Sequence, residues 1–421
     1  MSAAEQKIPH PGMGFPQFVV LMAALMALSA FGIDGMLPAL PELARGYQVT
    51  RANDQQLVVT LYLLSFGVAQ LFFGPMMDRY GRKPVLLWGL GFYALFSLMA
   101  AVAPTFHLLL VARCLQGVAV ATTRVAPVSI IRDSYSGRKM AQVMSLCMLV
   151  FMTVPILAPT LGLGVMMVAS WRWIFGVLAI ATAAVAVWAA VKLPETLKPE
   201  DRRPINLAQV ADSFRIVVGS RLGMGYTLAM AVLFGSLFGF INSAPQLFSE
   251  AFHAPQLFPI VFATTAGSMA ASSLVNARIV NRLGMRLISH SALLGFTALA
   301  AVHCAVALGG HETVLSFAIL QAMTMFCFGM ISGNFSSMAM EPLGHVAGAA
   351  ASAQGFITMV GGSITGFLIG QMFDGTAVPI TVGFTLCGLL CLGVVLVVEK
   401  GRLFVARSAP AGTATPPPAV H

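Results

Sequence analysis

Charge is what this sequence has least of. Asp, Glu, Lys and Arg together make up 9% of its 421 residues, against about a quarter in an ordinary soluble domain. A chain of this length buries a good core without giving up its charged surface, so a water-facing globule does not explain the deficit. Cysteine is scarce as well. The six (Cys114, Cys147, Cys304, Cys327, Cys387 and Cys391) all lie in apolar segments. That placement argues against a disulfide framework or a metal cluster and for small buried side chains. There is no P-loop, no soluble nucleotide-binding segment, no HExxH and no convincing nucleophile set, which disfavours a self-contained ATP-driven pump and a membrane enzyme. No cofactor is expected. What abounds is hydrophobic, at 58%.

The apolar residues form long blocks with short charged punctuation, the pattern of an all-alpha polytopic membrane protein. Twelve windows are long enough to cross hydrocarbon. They lie near 17–39, 57–77, 84–104, 107–130, 142–164 and 171–192, then near 224–246, 256–279, 288–309, 314–338, 347–371 and 379–399. The polar stretch 193–223 divides them into two six-helix halves, 17–192 and 224–399. Residues 1–16 form a tail without an evident cleavage site, so the first block reads as a retained span. Residues 400–421, rich in Pro, Ala and Thr, are expected to be disordered.

The net charge of +9 is spread between hydrophobic blocks rather than on one surface, which argues against nucleic acid. Arg79, Arg82 and Lys83 follow span 2, and Arg132, Arg138 and Lys139 follow span 4. Lys198, Arg202, Arg203, Arg215 and Arg221 fill the linker; Arg278, Arg282 and Arg286 follow span 8; Lys400 and Arg402 follow span 12. Alternate connections are poor in basic residues, with Arg45, Arg51 and Arg172 as exceptions. The positive-inside rule therefore puts both termini and the linker in the cytoplasm. The halves also echo one another. FFGPMMDRYGRKPVLL ends span 2 and LVNARIVNRLGMRLIS ends span 8; aligning Gly81 with Gly284 pairs Asp78 with Asn281, Arg79 with Arg282 and Lys83 with Arg286.

Polar groups inside the spans are the candidates for function, because ionised groups in hydrocarbon are costly unless paired or hydrated. Asp34 lies in AFGIDGMLPALP, one to two turns from the outer end of span 1 on these boundaries, and Arg113 sits at a comparable depth in span 4. The two are expected to face each other; the competing reading is an interfacial, solvated Asp34. Dehydration favours the neutral acid and a nearby arginine the carboxylate, so opening to either side would alter the balance. Asp34 is thus the first candidate for proton coupling. Arg124 shares a face with Arg113, and either reaches the cavity or snorkels to the inner surface. Gln116 lies beside Arg113. Tyr62, Gln70, Asn242, Gln246, Asn276, Gln321, Asn334 and Gln354 complete the cavity candidates, among Phe and Met walls suited to an amphipathic ligand. His303, the clear mid-span histidine, looks isolated and structural. Pro155, Pro159, Gly162 and Gly164 make span 5 either a hinge or a packing surface, and GPMMDRYGRK reads as a gate or latch rather than a solvated charge run.

These residues resemble the major facilitator superfamily over nearly the whole chain, and within it the bicyclomycin-resistance/CflA branch of drug:proton antiporters. Gly74, Asp78, Arg79, Gly81, Arg82 and Lys83 match the superfamily signature. Arg113, Gln116 and Gly117 resemble the span 4 signature associated with proton coupling, and Pro155, Pro159 and Gly162 the span 5 antiporter motif. Asp34 with LPALP, PILAPTLG and SWRWIFG are branch-like. The chain departs from the branch at Gly35, where a bulky residue is usual, and at Arg124. The resemblance implies a monomeric bacterial inner-membrane exporter of small amphipathic compounds driven by the proton gradient. The alternative is a uniporter or a proton-coupled carrier of one metabolite.

Overall fold

The computed structural model describes residues 13–202, 204 and 207–404. Arg203, the first twelve residues and the tail from residue 405 lie outside the described residues. All regular structure among the described residues is helical, and twelve helices are long and apolar enough to cross a membrane. Spans 1 to 6 are Phe15–Gly46, Ala52–Tyr80, Arg82–Val102, Phe106–Ser134, Gly137–Val168 and Arg172–Lys192. Spans 7 to 12 are Arg221–Ala251, Pro255–Leu283, Met285–Leu308, Val314–Gly344, Ala350–Gln371 and Val378–Val398.

The six-span repeat is present in the packing. In the first half span 1 packs on 5, span 2 on 4, and span 3 on 4 and 6; in the second, span 7 packs on 11, span 8 on 10, and span 9 on 10 and 12. Span 2 against 11 and span 5 against 8 join the halves, and these two contacts exchange under the same repeat. The Gly81–Gly284 echo is conformational. Gly81 has φ 104 and ψ 155, Gly284 φ 78 and ψ 153, a left-handed region where a β-carbon is strained. Each glycine turns the chain directly from one span into the next.

Span 1 is longer than its apolar window suggested. The helix Phe15–Asp34 passes through a 3₁₀ turn, Leu37–Ala39, into a second helix, Leu40–Gly46. Pro38 and Pro41 fall in the first turns of those segments, where a missing amide costs little. The helical run continues roughly three turns past Asp34, so the carboxylate lies deeper than the one to two turns expected. Between the halves, the helix Leu207–Gly219 packs on span 11 through Phe214 against Phe356, with ring centroids 5.5 Å apart.

Candidate functional site

Arg113 is fully buried and organises the first half. Its Nε donates to the Val58 carbonyl at 2.9 Å, one terminal nitrogen to the Gly32 carbonyl at 3.0 Å, and the other to Gln116 Oε1 at 3.0 Å. Gln116 in turn donates to Ser97 Oγ at 2.7 Å. The guanidinium lies over the Tyr62 ring, 4.2 Å from its centroid, with Phe175 at 5.7 Å. Spans 1, 2 and 6 therefore meet on one cation of span 4, and span 3 joins through Gln116. Fixed carbonyl dipoles and ring faces replace the water it gave up.

Asp34 is 5% exposed, at the end of the first helical segment. An ion pair with Arg113, which matching depth left open, does not form. Among the described residues Asp34 enters no ion pair; Arg113 instead binds the carbonyl of Gly32, two residues before it on the same helix. Sequence placed both charges inside their spans, but not how far Asp34 lies from the end of span 1 nor the direction each side chain takes around its helix. The two groups are linked through Tyr62, which lies under the guanidinium and within electrostatic reach of Asp34. Tyr62 and Tyr93 hydroxyls are 3.1 Å apart and approach the Ser29 and Leu28 carbonyls of span 1. Tyr62 and Gln116 are thus part of this network rather than free cavity walls.

Immediately after Asp34 the backbone of span 1 meets span 5. A β-carbon on Gly162 would collide with the Gly35 carbonyl oxygen, and one on Gly35 would come within 2.8 Å of the Phe31 carbonyl. Gly162 thus lets the carboxylate's own turn lie against the helix that carries Pro155 and Pro159, while at Gly35 the tight contact is to Phe31 of its own helix. That helix, Gly137–Val168, remains one element through both prolines.

Asn242 and Gln246 belong to a seal rather than to a central cavity. Gln246 donates to Asn53 at 2.9 Å and accepts from Gln56 at 3.1 Å; Asn242 donates to Thr60 at 3.2 Å. Asn53 also donates to the Gln371 and Phe373 carbonyls at 3.0 and 2.9 Å, Gln56 to the Gly370 carbonyl at 3.0 Å, and Gln371 to the Asn53 carbonyl at 2.9 Å. Every hydrogen bond between the halves among the described residues lies here, at the start of span 2 and the ends of spans 7 and 11. Asn53 and Gln56, just ahead of the apolar window, gave no hydropathy signal.

At the opposite end each half has an ionic latch. Arg82 bridges Asp78 and Asp133, the latter at 3.1 Å. Glu195 accepts from the amides of Arg82 and Lys83 at 2.9 and 3.2 Å, capping the orphan donors at the start of span 3. In the second half Arg286 bridges Glu399 at 3.1 Å and Glu341 at 3.4 Å, and Tyr226 donates to Glu399 at 2.7 Å. Asp78 and Arg82, expected as part of a gate or latch, meet in this ion-pair cluster; Asp133, Glu195, Glu341 and Glu399 sit far along the chain and were missed.

The remaining candidates do not converge. Asn334 donates to Asn276 at 2.8 Å, and Gln354 to Ser336 at 3.3 Å. The amide nitrogens of Gln70 and Gln321 are buried without a hydrogen bond among the described residues. Half-buried Arg124 lies 4.8 Å over the Phe151 ring and enters no ion pair among the described residues. His303 is not isolated, as the sequence suggested. It lies 3.4 Å from Glu312, both side chains buried, with the Phe317 ring 5.1 Å away.

Two matching six-span halves, hydrogen-bonded to each other at one end and carrying a buried carboxylate on span 1 and a buried guanidinium on span 4, define a transporter architecture. Residues 22–366 match the Major Facilitator Superfamily, and the chain belongs to that family. It is 30% identical over 366 residues to an uncharacterized transporter of the same superfamily from Bacillus subtilis, YdgK, covering 85% of this chain and 89% of the relative. It is 29% identical over 374 residues to the bicyclomycin resistance protein homolog of Haemophilus influenzae, covering 86% and 91%. Among solved structures, a peptide transporter in complex with sulfate superposes with a TM-score of 0.75 at 13% identity, over 95% of this chain and 98% of that one.

Proposed function

We propose that this protein is a proton-coupled exporter of small amphipathic compounds, working by alternating access in a bacterial inner membrane with both termini in the cytoplasm. The observation that carries the reading is Asp34: a carboxylate buried in span 1 with no ion-pair partner among the described residues, where binding and losing a proton is the means of neutralising it. Arg113 serves as the positioning residue, fixing the carbonyl of Gly32 and the ring of Tyr62 around that carboxyl. The likeness to a protein named for bicyclomycin resistance supports a drug-like substrate. Gln70, Gln321 and Arg124 are the polar groups left over for its recognition.

The test is transport in proteoliposomes under an imposed proton gradient, with several amphipathic antibiotics and dyes. Substrate movement should follow the gradient, and Asp34→Asn should abolish the gradient-driven component while the protein remains folded. Flux in the unmodified protein that ignores the gradient would identify a uniporter. Unchanged pH-dependent exchange in Asp34→Asn would remove Asp34 from the coupling role.

A further inference from the structure

Spans 2 and 3 both pack on span 4 but scarcely on each other. The gap between them is a cavity of about 420 Å³ with span 4 as its floor. Phe72, Phe73 and Met76 form one wall, Trp88 and Phe92 the other, and Val118 part of the floor. Trp88 and Phe92 are each 54% exposed, so the cavity opens sideways along the outside of the bundle. Its lining offers water almost no hydrogen-bond partner, and an apolar cavity of this kind does not hold water. Such a lining suits hydrocarbon.

The end nearest the loop between the two spans has a different chemistry. Trp88 meets Tyr80, ring centroids 6.2 Å apart, and the Arg79 guanidinium lies over the Tyr80 ring at 5.3 Å. Arg82 is occupied by Asp78 and Asp133, and Lys83 donates to the Ala190 carbonyl at 2.8 Å. Arg79 is exposed and enters no ion pair among the described residues. A free cation, two amphipathic aromatic rings and an apolar groove thus follow one another in that order. From Tyr80 back to Ala69, at the groove's far end, is roughly 16 Å along the helix, or about half of a ~30 Å hydrocarbon core. That is the depth of one leaflet.

We propose that this groove is a binding site for one anionic phospholipid of the inner leaflet, an acyl chain lying between spans 2 and 3 and the phosphate on Arg79. The assignment rests on the orientation given by the basic loops and not on the substrate or on proton coupling. A bound lipid here packs against the loop that carries the Asp78–Arg82 latch.

Quenching of Trp88 by phospholipids brominated on their acyl chains tests it. The full chain is reconstituted with brominated phosphatidylglycerol or brominated phosphatidylcholine at equal mole fraction, and the Trp88 signal is the difference between the unmodified protein and Trp88→Phe. The anionic lipid should be enriched about fivefold at Trp88, the factor that ~1 kcal/mol per basic side chain corresponds to, and Arg79→Gln should erase the preference. Ala119→Leu, which fills the floor, should reduce quenching by both lipids while elution and the other tryptophans' signal stay unchanged. Equal quenching by the two lipids in the unmodified protein overturns the proposal, as does a preference that survives Arg79→Gln. Quenching unaffected by Ala119→Leu overturns the groove as its place. Displacement of either lipid by an amphipathic drug without any headgroup preference would make the groove a substrate portal instead.

Discussion

At the scale of single residues, the geometry separates substitutions that look alike in sequence. Arg113→Ala removes the shared partner of three acceptors and leaves a hole under Tyr62 and Phe175. It should cost about 2–4 kcal/mol, read as a lowered midpoint of thermal unfolding in detergent. Arg113→Lys keeps the charge but not the planar fork, and should recover only part of that loss. Gly162 and Gly164 make a sharper pair. A β-carbon at Gly162 strikes the Gly35 carbonyl, a backbone atom that cannot step aside, whereas one at Gly164 meets nothing within 4 Å. Gly162→Ala should therefore destabilise by about 1–3 kcal/mol and impair transport. Gly164→Ala should be neutral or stabilise by up to ~1 kcal/mol, since alanine is the better helix former. Equal effects of the two would refute the span 1–span 5 contact. Asp34 and Arg113 stood out in the sequence because charge in an apolar window is conspicuous. Tyr93, Ser97 and Glu312 did not, because a phenol, a hydroxyl or a loop carboxylate is conspicuous only once its partner is known.

At the scale of elements, hydropathy found all twelve spans, and the loop glycines found the repeat. Length and apolarity are local properties, and a turn at positive φ demands glycine wherever it recurs. The seal between the halves was hidden for the opposite reason: it is built from neutral amides at helix ends, which belong to no periodic pattern. Its chemistry makes a prediction. Gln56→Ala removes bonds to Gln246 and to the Gly370 carbonyl, and Asn53→Ala removes bonds to Gln246, Gln371 and Phe373. At about 0.5–1.5 kcal/mol per bond, either change should shift the closed-to-open balance at this end by roughly an order of magnitude. Probes on exposed residues 51 and 374 should then report a larger fraction of long distances. An unaltered distance distribution in both variants would mean that the amides do not hold the seal.

At the scale of the whole molecule, the two ends are joined by different forces. Neutral amides bind half to half at one end, while at the other each half is braced internally by ion pairs. The two braces occupy matching places, Arg82 with Asp133 and Glu195, Arg286 with Glu341 and Glu399, yet they are not equivalent in environment. Glu195 is half-buried and acts through backbone amides, with Oε1 accepting also from Thr196 and Leu197 at 2.8 and 2.9 Å. Glu195→Gln keeps one acceptor oxygen and loses a charge at a helix start, a change of about 1 kcal/mol. Glu399 is 4% exposed and faces an Arg286 side chain that is 8% exposed. Glu399→Gln also keeps an acceptor oxygen, but it strips the charge from a buried pair and leaves half-exposed Glu341 as the remaining anionic partner of Arg286 among the described residues; leaving a buried charge without its counter-charge costs about 3–5 kcal/mol. Thermal unfolding should thus rank Glu399→Gln well below Glu195→Gln. Raising salt should weaken the unmodified protein little, since the decisive pair is shielded from solvent. The reverse ranking would show that the first-half latch, rather than its buried counterpart, limits stability.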